Sequence, residues 1–139
     1  MTLHLIKLAV GADGVADIRA YQDRRRAGAT TVTHPTRHAP KRADELLAGG
    51  SLYWVVRGVI RARQRLVGIE PGGAGDQVKP SLLVLDPALI ETVPRPQRPF
   101  QGWRYLKGQD APADADGNAQ AEDELPAEMA AELARLGLL

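Results

Sequence analysis

The sequence predicts an α+β fold: a small mixed or antiparallel β-sheet or barrel flanked by two or three short helices. Two observations predict it. The order of patterns is strand, helix, strand, helix, and then several strands in succession. The chain has 139 residues, of which 44% are apolar, enough to bury one core. Residues 1–108 read as one globular domain, and residues 109–139 as an acidic linker followed by a C-terminal helix.

His4-Leu5-Ile6-Lys7-Leu8-Ala9-Val10 is short and apolar, which predicts a first strand ended by Gly11. A helix opens at Asp13 or Gly14, with Val15, Ile18 and Tyr21-Gln22 at helical spacing. Arg24-Arg25-Arg26 fall in its last turn, where cations suit the negative end of the helix dipole, and Gly28 closes it. Thr30 to His34 is β-branched and extended, and Pro35 and Pro40 make residues 35–40 a loop. Pro40 then starts a helix over Lys41 to Ala48 that buries Leu46 and Leu47 and stops at Gly49-Gly50.

Ser51 to Val56 carries the clearest strand pattern. Gly58 marks a turn or bulge, and Val59 to Ile69 forms the next strand. Pro71 to Pro80 is a Gly-rich loop; it lacks the Lys-Ser/Thr pair and the following helix of a phosphate-binding loop. Ser81 to Leu85 is an apolar strand, and Ala88-Leu89-Ile90 adds a helical turn. Three prolines keep Val93 to Pro99 extended and out of a central strand. Phe100 to Leu106 is the last strand, and Met129, Leu133 and Leu136 mark a tail helix over Leu125 to Leu136.

The absence of cysteine excludes disulfides, thiol catalysis and Cys-built zinc sites. No apolar run reaches the ~20 residues needed to span a bilayer, and Met1 to Val10 is too interrupted for a secretory signal, so a cytoplasmic protein without membrane association is expected. The net charge of +1 conceals a polarity. Residues 1–65 carry twelve Lys/Arg against five Asp/Glu, whereas residues 109–139 carry one against eight. A basic body with an acidic tail suits chains that meet polyanions or regulate that meeting.

Arg61, Arg63 and Arg65 alternate along the fourth strand, which puts them on one face about 6.6 Å apart, opposite Ile60, Ala62, Gln64 and Leu66. Guanidiniums in a row fork onto phosphates. Arg57, Arg37, Lys41 and Arg42 add to them, and Tyr53 or Tyr105 offers a ring for base stacking. The competing reading is a solvated strand face whose arginines pair with Asp44, Glu45 or the tail. Trp54 and Trp103 read as core anchors. His34 and His38 lie in a proline-bounded loop, which disfavours a metal pair, and no cofactor is implied. Asp114, Asp116, Gly117 and Asn118 resemble only a fragment of a calcium loop.

The runs Pro40 to Leu47, Gly49 to Gly58 and Arg63-Gln64-Arg65, with the opening Leu3 to Leu8 and the ending Arg98 to Leu106, resemble a bacterial family found mainly in alphaproteobacteria, domain of unknown function 1489. The resemblance spans about residues 3–112, leaves the tail outside, and implies no catalytic residue. At the level of fold the chain resembles the PUA-like barrels, which include the ASCH and EVE domains. There too a short helix leads into a barrel strand ending near basic residues, and the resemblance implies binding of RNA or modified bases.

The expected function is therefore an RNA- or nucleic-acid-binding PUA-like module that holds phosphates with Arg57, Arg61, Arg63 and Arg65, aided by Arg37, Lys41 and Arg42. RNA or another polyanion is the expected partner; the sequence leaves oligomeric state open. The alternatives are a nucleotide- or RNA-processing enzyme using His34 or His38 near Trp54 and Trp103, and a protein-interaction module whose tail helix docks on a partner or on the basic face.

Overall fold

The computed structural model describes residues 2–72 and 80–115. The centre of the Pro71–Pro80 loop, the Asp116-Gly117-Asn118 run and the expected tail helix lie outside the described residues. Seven strands and two short helices follow in the order β1 (Leu3–Leu8), α1 (Val15–Arg26), β2 (Val32–Thr36), α2 (Ala43–Leu47), β3 (Ser51–Val56), β4 (Val59–Glu70), β5 (Ser81–Leu85), β6 (Ile90–Pro96) and β7 (Trp103–Lys107). The sheet is mixed and open, with strand order β2-β5-β4-β3-β1-β7 and β6 paired to β4.

β1 and β3 are parallel neighbours, with Leu5 opposite Leu52 and Lys7 opposite Trp54. Parallel pairing needs a crossover, and α1, β2 and α2 supply it. β3 and β4 form a hairpin through Arg57-Gly58, with φ of 49° and 79°. Two successive positive φ values make the tight turn whose twist matches the flanking strands.

β4 is the longest strand and the one that bends the sheet. Its first part pairs with β3 and β6, and its second with β5. Arg61 is an extra residue against β3, where Trp54 pairs with Ala62 but Val55 pairs with Ile60. Val67 is likewise extra against β5. Each bulge adds local twist. The sheet thereby curls around a core of Leu5, Leu46, Leu52, Trp54, Leu66, Leu83 and Leu85, covered by Ile18 of α1. A smaller core on the opposite face holds Ile6, Tyr53, Val55, Ile60, Phe100 and Leu106.

Gly50 sets how closely α2 approaches β1. A Cβ there would overlap the carbonyl oxygens of Leu3 and Leu46. Its N–H donates to the Leu46 carbonyl at 2.8 Å, which closes α2 directly into β3.

Several expectations are corrected. Pro35 and Thr36 belong to β2, which among the described strands pairs with β5 alone; an edge strand tolerates the missing donor of proline. The helix of residues 41–48 shortens to Ala43–Leu47, and Leu47 faces outward while Leu46 is fully buried. The helical turn at Ala88–Ile90 is absent, because Ile90 already pairs with Arg63 as the start of β6. The bulge at Arg61 breaks the alternation of β4, so Ile60 joins the smaller core with Tyr53, whereas Leu66 lies in the larger one.

Candidate functional site

A cleft of about 600 Å³ lies between the end of β1, α1 and β2. β1 contributes Lys7, α1 contributes Tyr21, Gln22, Arg24 and Arg25, β2 contributes His34, and Trp54 of β3 forms part of the floor. The register explains this gathering. Lys7 is opposite Trp54 on one side and Trp103 on the other, so all three share the concave face.

The floor is rigid. The Trp54 indole N–H donates to Gln64 Oε1 at 2.8 Å, and Gln22 and Gln64 exchange amide hydrogen bonds. The His34 ring stands edge-on to Trp54 at 5.1 Å. Its Nε2 is buried without a hydrogen-bond partner. Burial first, then the charges of Lys7 and Arg25, push the His34 imidazole down to about 4. It is thus neutral near pH 7. Burial also lowers the Lys7 ammonium.

The acidic residues at the cleft already have partners. Asp13 pairs with Arg57 at 2.6 Å, and Asp17 accepts the Asp13 backbone N–H at 2.8 Å. Among the described residues no carboxylate lies within 4.0 Å of Lys7, Arg24 or Arg25. The Arg25 guanidinium donates to the Tyr21 hydroxyl and lies 5.6 Å from its ring centre. The cleft thus brings Lys7, Arg24 and Arg25 together with Asp13 and Asp17, and its interior offers a neutral imidazole beside the buried Trp54 ring.

The residues anticipated as a phosphate row divide among three places. Arg63 and Arg65 share the convex face with Tyr53 and Ser51, because Tyr53 pairs with Arg63 and Ser51 with Arg65. Arg63 is occupied there: Asp114 takes its guanidinium at 2.7 and 2.8 Å, and Ser51 Oγ accepts a third hydrogen bond at 3.0 Å. The Asp114 carboxyl is held below the usual range by that bond. Asp114 reaches Arg63 because Ala113 and Ala115 hydrogen-bond to Val93 and Glu91 of β6. The start of the acidic tail thus does dock on the arginine face. Tyr53 is buried and packs edge-on against His4 at 5.0 Å.

Arg42 and Tyr105 meet in a second place. The Arg42 guanidinium pairs with Glu45 at 2.6 Å and lies 5.6 Å from the Tyr105 ring centre, and the Tyr105 hydroxyl accepts the Arg42 N–H. Arg37 and Lys41 are exposed on the same connection between β2 and α2. Arg57, in the third place, is spent on Asp13 at the hairpin turn. His38 is exposed, and its carbonyl accepts the Trp103 indole N–H at 3.0 Å, tying the loop after β2 to β7. Trp103 is half-buried, whereas Trp54 is a true core anchor. Among the described residues no group of three His, Cys, Asp or Glu could hold a metal ion.

Sequence reasoning missed the cleft. Helix placement explains much of the Arg24-Arg25-Arg26 run, and Lys7 reads as a break in the apolar N-terminus that disfavours a secretory signal. The available signal was the pair Tyr21 and Arg25, four residues apart and so on one helix face.

Fold and site together define an open, curled α+β sheet with a cationic, aromatic-floored cleft at one end. The chain matches the family model described as Protein of unknown function (DUF1489) over residues 5–139 and belongs to that family. The match runs to residue 139, so the acidic tail expected to lie outside the family lies within it. No curated protein and no solved structure matches the chain. Among the described residues no helix is long and apolar enough to cross a membrane.

Proposed function

We propose that the protein binds single-stranded nucleic acid, RNA foremost, with one unstacked nucleotide seated in the α1–β2 cleft. One observation carries the reading: three cations without carboxylate partners among the described residues, Lys7, Arg24 and Arg25, line a cleft with Trp54 and His34. Phosphate suits the rim, because it compensates the desolvated Lys7 and can accept a forked pair of bonds from arginine. A base suits the interior, since Tyr21 offers a ring and His34 Nε2 a hydrogen-bonding atom still without a partner. The volume lies within the roughly 300–1,000 Å³ of small-ligand sites. A cytoplasmic location goes with this reading.

The convex arginines take a lesser part, because Asp114 neutralises Arg63. The test is a titration of labelled single-stranded RNA at several salt concentrations. Binding at low salt that weakens steeply with added salt is expected, with the slope of log K against log salt falling by about 1.4 in R24A/R25A, or ~0.7 per lost phosphate contact. R61A/R65A should change it less. No binding at low salt, or a slope that falls only in R61A/R65A, overturns the cleft assignment.

A second reading, RNA or nucleotide processing with His34 as acid or base, is favoured by the place of His34 in the cleft. Nothing comparable favours His38, which is exposed and serves through its carbonyl.

A further inference from the structure

Lys7 is out of place as a structural residue. A lysine in the middle of a strand normally points its ammonium to water. Lys7 lies on the concave face, between Trp54 and Trp103 by register, half-buried along its stem, and without a carboxylate within 4.0 Å among the described residues. Lys41 and Lys107, by contrast, are exposed. The charged and titratable groups around the cleft are Asp13, Asp17, Tyr21, Arg24, Arg25 and His34. Asp13 pairs with Arg57 and Asp17 accepts the Asp13 backbone N–H, while burial disfavours the charged form of Lys7.

A lysine partly desolvated in a cleft holds a larger share of free amine, the form that attacks carbonyl carbon. We propose that Lys7 is a nucleophilic amine and that the cleft captures a phosphate-bearing aldehyde as an imine on Lys7 Nζ. The inference uses the cleft of the proposed function but does not need nucleic acid as the ligand. Arg24 and Arg25 take the phosphate, and the aromatic floor lies behind the carbonyl.

The step balances without an oxidant or reductant. The Nζ lone pair forms a C–N bond while the carbonyl π pair moves to oxygen, which takes up a proton. The carbinolamine then loses its C–O bond as the C=N bond forms. Both hydrogens lost from nitrogen leave in water. His34 is close enough for the charge of Lys7 to depress its basicity, and it is neutral near pH 7. It can accept a proton from Nζ and return it to the departing hydroxyl.

The test uses the full chain with pyridoxal 5′-phosphate, an anionic aromatic aldehyde, followed by borohydride reduction and peptide mapping. Lys7 should be modified first at pH 7, faster than Lys41 and Lys107. Inorganic phosphate should slow that labelling by competing for the arginines. K7R, shown folded by circular dichroism, should lose the fast phase, and H34Q should slow it and alter its pH profile. Labelling of Lys7 no faster than that of Lys41 and Lys107 in the native protein overturns the proposal, whatever K7R does. RNA titration is a separate measurement: its failure with fast Lys7 labelling sinks only the nucleic-acid reading, and RNA binding without fast labelling sinks only this one.

Discussion

Gln22 of α1 and Gln64 of β4 exchange side-chain amide hydrogen bonds at 2.8 and 2.7 Å, fastening the helix to the sheet beneath the cleft. The same Gln64 amide also accepts the Trp54 indole N–H and donates to the Asp86 carbonyl. Gln64 is fully buried, and a buried amide is stable only when its atoms are bonded. One side chain therefore orders a helix, a core indole and the turn after β5.

Q64L leaves the Trp54 N–H and the Gln22 amide without partners. At about 1–3 kcal/mol for each buried unsatisfied group, a loss of roughly 3 kcal/mol is expected. Urea denaturation measures it. Q22L should cost less, because Gln64 keeps Trp54 and Asp86. The double variant Q22L/Q64L should cost less than the sum of the singles, since removing both amides leaves the Trp54 indole and the Asp86 carbonyl unpaired but no amide. Strict additivity would show that the pair is not coupled.

Gly50 tolerates no side chain. In G50A the new Cβ meets two backbone carbonyls, Leu3 and Leu46, that cannot rotate away. The helix α2 must separate from β1, and a cost of about 3 kcal/mol or more is expected. Thermal unfolding should show a lowered midpoint. An unchanged midpoint would contradict the close approach.

His34 makes stability depend on pH in a defined window. Its imidazole takes a proton near 6.5 when unfolded but only near 4 in the fold. Between those values the unfolded chain binds more protons. Stability is thus fully present above about pH 6.5 and falls as the pH drops toward 4, by at most about 3 kcal/mol at 1.36 kcal/mol per unit. Denaturation at pH 7 and pH 4.5 measures the fall, and H34Q should reduce it. His4, also lowered by burial, leaves a residual dependence.

The Arg63–Asp114 pair acts in a lower window. The carboxyl is lowered in the fold, so its contribution is present above the unfolded value near 4 and is lost as pH falls through the folded one. Both side chains are partly solvated, 23% and 35% exposed, so D114A should cost only about 1 kcal/mol at pH 7, and less in high salt. Equal losses at pH 7 and pH 2.5 would show that Asp114 acts through packing and not charge.

The boundaries of β3, β4 and β5 were nearly readable from residue patterns, because each is a β-branched or apolar run bounded by Gly or Pro. Pro35 shows where local reading fails. A proline looks like a break, yet β2 keeps it because, among the described residues, its outer edge has no strand to receive an N–H. Arg61, Arg63 and Arg65 show the same limit for function. Their alternation was legible, but the bulge at Arg61 and the capture of Arg63 by a residue 51 positions away were not.

By itself the sequence determined the order of strands and helices, the basic body and the acidic tail, since periodicity and charge are properties of neighbouring residues. Tertiary structure alone decided which cations are spent and which remain. Parallel pairing of β1 with β3 turns Lys7 toward Trp54, α1 lays Arg24 and Arg25 beside it, and the chain after β7 brings Asp114 to Arg63. Register and the meeting of distant segments set the partner of each charge, and no local pattern encodes either.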